Sequence, residues 1–144
     1  MSTVERVATW EAIVPSGEFY DLRRDRLHHS PAVRAGRLLI CSGVVGAASS
    51  GQLVAEPRAQ IERAFENLAR LLADCGSGLG EVAELLTFHV DFERHIGRFV
   101  QVKDRLFPSA PYPAWTAIGA ASLSFGALVE IRAVAAPAQK GGKR

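Results

Sequence analysis

A short segment near the end of the chain places two charged side chains where they could do chemistry. In residues 129–133, Val129 and Ile131 alternate with Glu130 and Arg132. This alternation is typical of a strand with one buried face, and it puts the two charges on the other face, about 6.6 Å apart. A carboxylate can orient or deprotonate water, and a guanidinium can bind a carboxylate with two hydrogen bonds. The simpler interpretation is a solvent-exposed ion pair.

The histidines and cysteines give little support for a metal site. None of them has the HxxxH, HExxH or CxxC spacing of common metal sites. We therefore predict no metal, and no motif calls for a cofactor. His89 lies in an apolar segment and is expected to be structural, and both cysteines are expected to be buried thiols. The residues considered are His28, His29, His89, His95, Cys41 and Cys75.

The apolar spacing predicts two helices. The first begins at Pro57 and ends at Gly76, with apolar residues recurring along one helical face. The second covers about 96–107 and ends before the proline at position 108. The first helix would bury Ile61, Ala64, Phe65, Leu68, Leu71, Leu72 and Cys75; the second would bury Ile96, Phe99, Val100, Lys103, Leu106 and Phe107.

Short apolar runs between turn residues predict the strands. Residues 37–43 should pair with the segment before them, and residues 82–90 should form a buried strand. Residues 115–120 and 127–135 flank the turn-prone sequence SLSFG, which suggests a hairpin or neighbouring strands. The order of elements predicts an α+β domain with both helices on one face of a sheet.

Composition excludes several broad classes of protein. The chain has 144 residues, of which 48% are hydrophobic and 22% charged, and its formal net charge is +2. These values suit one globular domain. No apolar run reaches the roughly 18 residues of a membrane helix, and the first residues do not resemble a secretory signal, so we expect a cytoplasmic protein with no membrane partner. Basic residues cluster only at 23–26 and in the tail, which argues against a nucleic-acid partner.

Three segments resemble the Rid (YjgF) family of reactive-intermediate deaminases, formerly labelled L-PSP endoribonucleases. They are HSPAVRAGRLLICSG at 29–43, ENLARLLADCGSGLGEV at 66–82 and PAWTAIGAASLSFGALVEIRAVA at 113–135. The resemblance implies a chorismate-mutase-like α+β domain with a mixed sheet, a homotrimer, and ligand clefts between subunits. It also implies hydrolysis of enamines and imines such as 2-aminoacrylate.

The resemblance assigns roles to several residues and exposes departures. Glu130 matches the family's water-orienting glutamate, and Ser42 with Gly43 matches its ligand-contacting SG pair. Trp115, however, stands where the family has a carboxylate-binding arginine, and an indole cannot make that two-bonded contact. His29 replaces a tyrosine. We predict Glu130 and His29 as the catalytic pair, since imidazoles exchange protons near neutral pH.

Two further departures concern the same cleft. Ala117 replaces a small polar or cysteine residue, and Arg132 replaces an acidic one. Arg132 could restore the missing cation, or it could pair with Glu130 or with a neighbouring subunit. Trp115 could stack on an unsaturated ligand or simply plug the cleft. Trp115, Ala117, Arg132, Ser42 and Gly43 are the predicted substrate-binding residues.

Two functions from different classes remain compatible with the sequence. One is an enzyme that hydrolyses an imine or enamine, or that catalyses a cofactor-free tautomerisation or cyclisation. The other is a non-catalytic, ligand-binding or regulatory trimer. Ribonuclease activity is disfavoured, because no basic and aromatic stripe is visible.

The predicted domain boundaries leave two flanking segments. Residues 28–136 form the Rid-like domain, and residues 137–144 form a flexible tail. Residues 1–27 are expected to pack on the core as an extension, with Trp10, Phe19 and Tyr20 as apolar anchors.

Overall fold

The computed structural model describes residues 3, 8–17, 20–21 and 25–139, which form one mixed sheet with two helices. The sheet order is β1-β2-β3-β7-β5-β6, and the short β4 pairs with β7. Among the strands of the described residues, β5 and β6 form the one parallel pair and the other pairs are antiparallel. The strands are β1 (Glu11–Ile13), β2 (Ala32–Ala35), β3 (Leu38–Cys41), β4 (Val44–Val45), β5 (Val82–His89), β6 (Ala114–Gly119) and β7 (Val129–Ala135).

Both predicted helices form, and they pack on the same side of the sheet. Helix α1 (Pro57–Asp74) buries the apolar face that its sequence predicts. Glu56 caps it by accepting hydrogen bonds from the backbone N–H groups of Arg58 and Ala59. Helix α2 (Phe92–Leu106) starts earlier than predicted and buries His95, Phe99 and Val102, whereas Leu106 is exposed. The buried stripe of α2 is therefore rotated relative to the prediction.

The expectation that the last two strands are neighbours is wrong. β5 lies between them: β7 pairs with one edge of β5 and β6 with the other. Parallel strands need a long crossover, and α2 supplies it between β5 and β6. SLSFG is thus a connection across a strand and not a hairpin turn.

A β-bulge interrupts the strand that runs from β3 to β4. Ile40 lies opposite Val134 of β7, and Val44 lies opposite Ile131. Four steps along the first strand therefore match only three steps along β7, so one extra residue lies between Ile40 and Val44. A bulge of this kind bends the strand and leaves part of the ladder open. Ser42 and Gly43 occupy this opening.

The described part of the N-terminal segment joins the sheet and the core. β1 pairs with β2, and Tyr20 is buried with its hydroxyl donating a hydrogen bond to Asp74 at the end of α1. Trp10 is 40% exposed. The predicted anchor Phe19, the basic pair at 23–24 and residues 140–144 lie outside the described residues.

No helix in the described part of the chain is long and apolar enough to cross a membrane.

We predict that Gly46→Ala destabilises the fold much more than Gly80→Ala. A Cβ at Gly46 would lie 2.8 Å from Gln60 Cγ and 2.9 Å from the Gln60 carbonyl carbon, whereas Gly80 has open space around it. Overpacking costs about 1–3 kcal/mol of unfolding free energy, and the upper end is expected because the neighbour is backbone. Urea denaturation of both variants measures the difference; equal midpoints would contradict the packing argument.

Candidate functional site

A cleft of about 600 Å³ opens beside the bulge between β3 and β4. It brings together four of the predicted site residues: Glu130, His29, Ser42 and Gly43. These residues come from β7, from the segment before β2, and from the bulge. The remaining described lining residues are Arg26, Leu27, Val45, Ala47, Ala48, Ser49, Ser50, Gly51, Asn67, Ser124 and Phe125.

Gly43 is needed because Glu130 lies directly against it. A Cβ at Gly43 would lie 2.9 Å from both Cγ and Cδ of Glu130 and would overlap its carboxylate. The backbone of Gly43 is not in the left-handed region, so its role is close approach and not unusual φ. The missing side chain therefore sets where the half-buried carboxylate sits.

Ser42 fixes the segment that carries His29. Its hydroxyl donates a 2.7 Å hydrogen bond to the Ser30 carbonyl, and its backbone N–H donates a 2.8 Å bond to the Pro31 carbonyl. His29 Nδ1 lies 3.4 Å from the same Ser30 carbonyl. The bulge thus holds the imidazole and the glutamate on the walls of one cleft.

Asn67 stabilises the floor of the cleft from helix α1. It is buried, and its side-chain amide donates to the carbonyls of Val45 and Ala47, at 2.9 and 2.8 Å. An amide that holds two backbone carbonyls of one loop fixes that loop on the helix. Sequence reasoning placed Asn67 in the family-like helix without seeing this function.

The other three predicted substrate-binding residues do not line this cleft. Arg132 shares the outer face of β7 with Glu130 and lies opposite Leu86 of β5. Trp115 and Ala117 lie on β6, which is separated from β7 by β5. In the described part of a single chain, Trp115 and Ala117 are therefore apart from Glu130, whereas Arg132 lies two residues from it on the same strand.

Trp115 is packed into an aromatic cluster on the helix side of the sheet. Its ring stacks on Phe99 at 5.8 Å between centroids, and Lys103 Nζ lies 4.8 Å from the Trp115 ring centroid. Phe99 also stacks on Phe65 and contacts the edge of His89. Contacts within the chain are therefore sufficient to explain why a tryptophan stands at position 115.

The polar atoms of this cluster form a buried chain. Trp115 Nε1 donates to Thr87 Oγ1 at 2.9 Å, and Thr87 Oγ1 lies 2.7 Å from His89 Nε2. Thr87 and His89 are both fully buried. Burial lowers the pKa of His89 to about 4, so this ring is neutral near pH 7 and shares one hydrogen bond with the Thr87 hydroxyl through Nε2. The expectation that His89 is structural is supported by these contacts.

The cysteines are buried and unpaired, as predicted. Burial raises the pKa of the Cys41 thiol to about 12, and burial also raises the pKa of Cys75. Neither thiol is therefore suited to nucleophilic attack near neutral pH. Among the residues that the structure describes, no group of three or more His, Cys, Asp or Glu is arranged to hold a metal ion.

Two lining residues that sequence reasoning missed are Arg26 and Phe125. Arg26 belongs to the short basic cluster at 23–26, to which the sequence analysis gave no ligand role, and Phe125 lies in the connection between β6 and β7. Neither belongs to a periodic pattern. For Phe125, the available signal in the sequence was a large aromatic residue directly before a glycine in a turn-prone segment.

Comparison with known proteins agrees with this architecture. Residues 24–137 match the family described as Endoribonuclease L-PSP. The chain belongs to the Rid family, to which that description refers. The RutC family protein YjgH of Escherichia coli is 34% identical over 124 residues, covering 86% of this chain and 92% of that protein.

Solved structures of this family have the same fold. The structure of YjgH has a TM-score of 0.81 and 33% identity, and the match covers 92% of this chain and all of that one. RidA from an Antarctic Psychrobacter has a TM-score of 0.70 and 28% identity, covering 75% of this chain and 87% of that one. The Rid resemblance and the predicted α+β fold are thereby confirmed.

We predict that His89 makes the fold sensitive to mild acid. The unfolded state takes up its proton near pH 6.5, but the folded state resists protonation until about pH 4. The contribution of His89 to the unfolding free energy should therefore be constant above pH 6.5 and fall by about 3 kcal/mol as the pH drops to 4. Urea midpoints measured across this range should show the slope, and His89→Gln should flatten it. An unchanged slope in the variant would contradict this assignment.

Proposed function

We propose that the cleft binds a small metabolite with an unsaturated, carbonyl or imine group, and that Glu130 activates water there. The observation that supports this is the meeting of Glu130, His29, Ser42 and Gly43 in one cleft. A second supporting observation is that Gly43 has no side chain, which leaves space for the Glu130 carboxylate. A carboxylate held at the wall of a polar cleft is a suitable base for water.

The proposed reaction is hydrolysis of an enamine or imine to a carbonyl compound and ammonia. His29 donates a proton to the enamine carbon, which gives the protonated imine. Glu130 takes a proton from water as the oxygen adds to the imine carbon, which gives a carbinolamine. Glu130 then returns that proton to the nitrogen, the carbon–nitrogen bond breaks to release ammonia, and the hydroxyl proton returns to His29 as the carbonyl forms. One water is consumed and no electrons are transferred, so neither metal nor cofactor is required. A tautomerisation or cyclisation would use the same proton transfers.

RNA cleavage is less well supported. Among the described lining residues of the cleft, Arg26 is the only Lys or Arg. Proteins that hold single-stranded RNA use several cations and stacked aromatics along a groove. We therefore propose a small-molecule ligand and no nucleic-acid partner.

Replacing the base tests this function. We expect Glu130→Gln to lower the rate of ammonia and 2-oxo acid release from freshly generated 2-aminoacrylate, measured above the rate in buffer. Because general base catalysis contributes about 10²–10⁴-fold, the loss should be at least about a hundredfold. Glu66→Gln is the matched control, since Glu66 pairs with Arg63 on the exposed face of α1, away from the cleft.

The outcomes separate the two functional classes. Turnover by the wild type and by Glu66→Gln, with loss in Glu130→Gln, supports the hydrolase. Equal rates in the wild type and Glu130→Gln contradict the role of Glu130. Saturable binding with no turnover of this or related imines would favour the non-catalytic trimer.

We also propose that the chain assembles as a homotrimer through the sheet face opposite the helices. Within the described residues, neither helix covers this face, and Leu38 and Ile118 on it are each 42% exposed. Half-buried apolar residues of the central strands continue it: Ile40, Leu86, Phe88 and Val134. An apolar area that crosses several strands is typical of an association surface.

We predict that Ile118→Lys weakens assembly without unfolding the chain. Ile118 lies on the edge strand β6, so a lysine is tolerated by the monomer but would be desolvated in a subunit interface. Light scattering should give three times the mass of one chain for the wild type and a smaller species for the variant. Glu93→Lys, on the exposed start of α2, is the control. A monomeric wild type would contradict the proposal.

A further inference from the structure

Phe125 is held in a conformation that bulky residues rarely adopt. Its φ and ψ are 61° and 15°, in the left-handed region, and its neighbour Gly126 has a φ of 74°. A left-handed backbone is unfavourable for a residue with a Cβ, because the Cβ lies too close to the following carbonyl oxygen. Such strain is concentrated at functional sites, where the surrounding structure maintains it.

This strained residue is also exposed and lines the cleft. The Phe125 side chain is 57% exposed, although it is large and apolar. Its neighbours Leu123 and Ala127 pack on Val45 and Ala47, which fixes both ends of the short turn. The turn is therefore anchored while its aromatic ring is left at the cleft, where it offers a flat apolar surface.

Arg26 supplies the complementary charge. Within the described lining of the cleft it is the only residue with a permanent positive charge, and it is placed there together with Glu130 and Phe125. A guanidinium binds a carboxylate with two parallel hydrogen bonds, which an ammonium does not match. The cleft thus combines a carboxylate-binding group, an aromatic surface and a base.

We propose that Arg26 and Phe125 determine which ligand this cleft selects. Arg26 binds the carboxylate of the ligand, and Phe125 contacts its body and favours a flat aromatic one. The inference rests on the proposed function in assigning the ligand to this cleft, and it adds the two residues that determine specificity. It also assigns the aromatic contact to Phe125 and not to Trp115, because the Trp115 ring is already packed against the core.

Binding of three related probes to the full-length protein tests the ligand class. Benzoylformate has both the carboxylate and the ring, pyruvate lacks the ring, and methyl benzoylformate lacks the charge. Isothermal titration should give the tightest binding for benzoylformate. Pyruvate should bind about tenfold more weakly because it loses the aromatic contact and its buried area. Equal affinity for the ester and the acid would overturn the role of Arg26.

Variants assign each half of the ligand to one residue. Arg26→Gln should weaken benzoylformate and pyruvate by a similar factor, about fivefold for an exposed guanidinium, and leave the ester unchanged. Phe125→Asn should weaken benzoylformate about tenfold and leave pyruvate unchanged, whereas Phe125→Tyr should restore binding. Unchanged benzoylformate affinity in Phe125→Asn would overturn the proposal.

A stability measurement separates a ligand contact from a structural role. Asparagine tolerates the left-handed region, so Phe125→Asn should raise the thermal midpoint by about 3 °C as strain is relieved. A lowered midpoint or a changed oligomeric mass would show instead that Phe125 packs within the protein or its assembly. These readouts do not require turnover. The experiments can therefore contradict the roles of Arg26 and Phe125 while supporting catalysis by Glu130, and they can also give the reverse result.

Discussion

The cleft depends on the one extra residue between β3 and β4. A regular strand would continue its ladder with β7 past Cys41 and would leave no opening at Ser42 and Gly43. The bulge turns these residues out of the ladder, and the absence of a side chain at Gly43 then lets Glu130 lie against them. At the same bend, the hydroxyl of Ser42 donates a hydrogen bond to the Ser30 carbonyl and so holds the segment that carries His29. The position of Glu130, the space for its carboxylate and the support of the neighbouring His29 segment all follow from this bulge.

Much of the fold could be predicted because its elements carry their own periodicity. The buried face of α1 and the alternation of β7 are visible residue by residue in the sequence. Strand neighbours are different, since pairing depends on contacts far apart along the chain. Nothing local indicates that β5 lies between β6 and β7, so the turn-prone connection after β6 suggests a hairpin or neighbouring strands, and neither forms. The bulge was also invisible, because it is defined by a register with another strand.

The candidate site was predictable where its residues lie on patterned segments or, like His29, match a motif of the family. Glu130 stands on an alternating strand, and Ser42 and Gly43 end a buried one, so their positions could be inferred before the fold was known. Arg26 and Phe125 lie in irregular segments, where residue type alone does not fix the direction of a side chain. Trp115 illustrates the opposite case. Its position suggested a ligand contact, but its ring is part of the buried cluster around Phe99.

The packing around Trp115 explains why a cation is disfavoured at its position in this chain. Lys103 already lies 4.8 Å from the indole centroid, so a guanidinium at position 115 would meet a like charge in a partly desolvated place. It would also lose the stacking on Phe99 and would leave Thr87 without the N–H that the indole donates. A carboxylate-binding group is compatible with this core only if it comes from another part of the chain. Arg26 lines the cleft and lies outside the packing around Trp115, so it can supply this group without disturbing that packing.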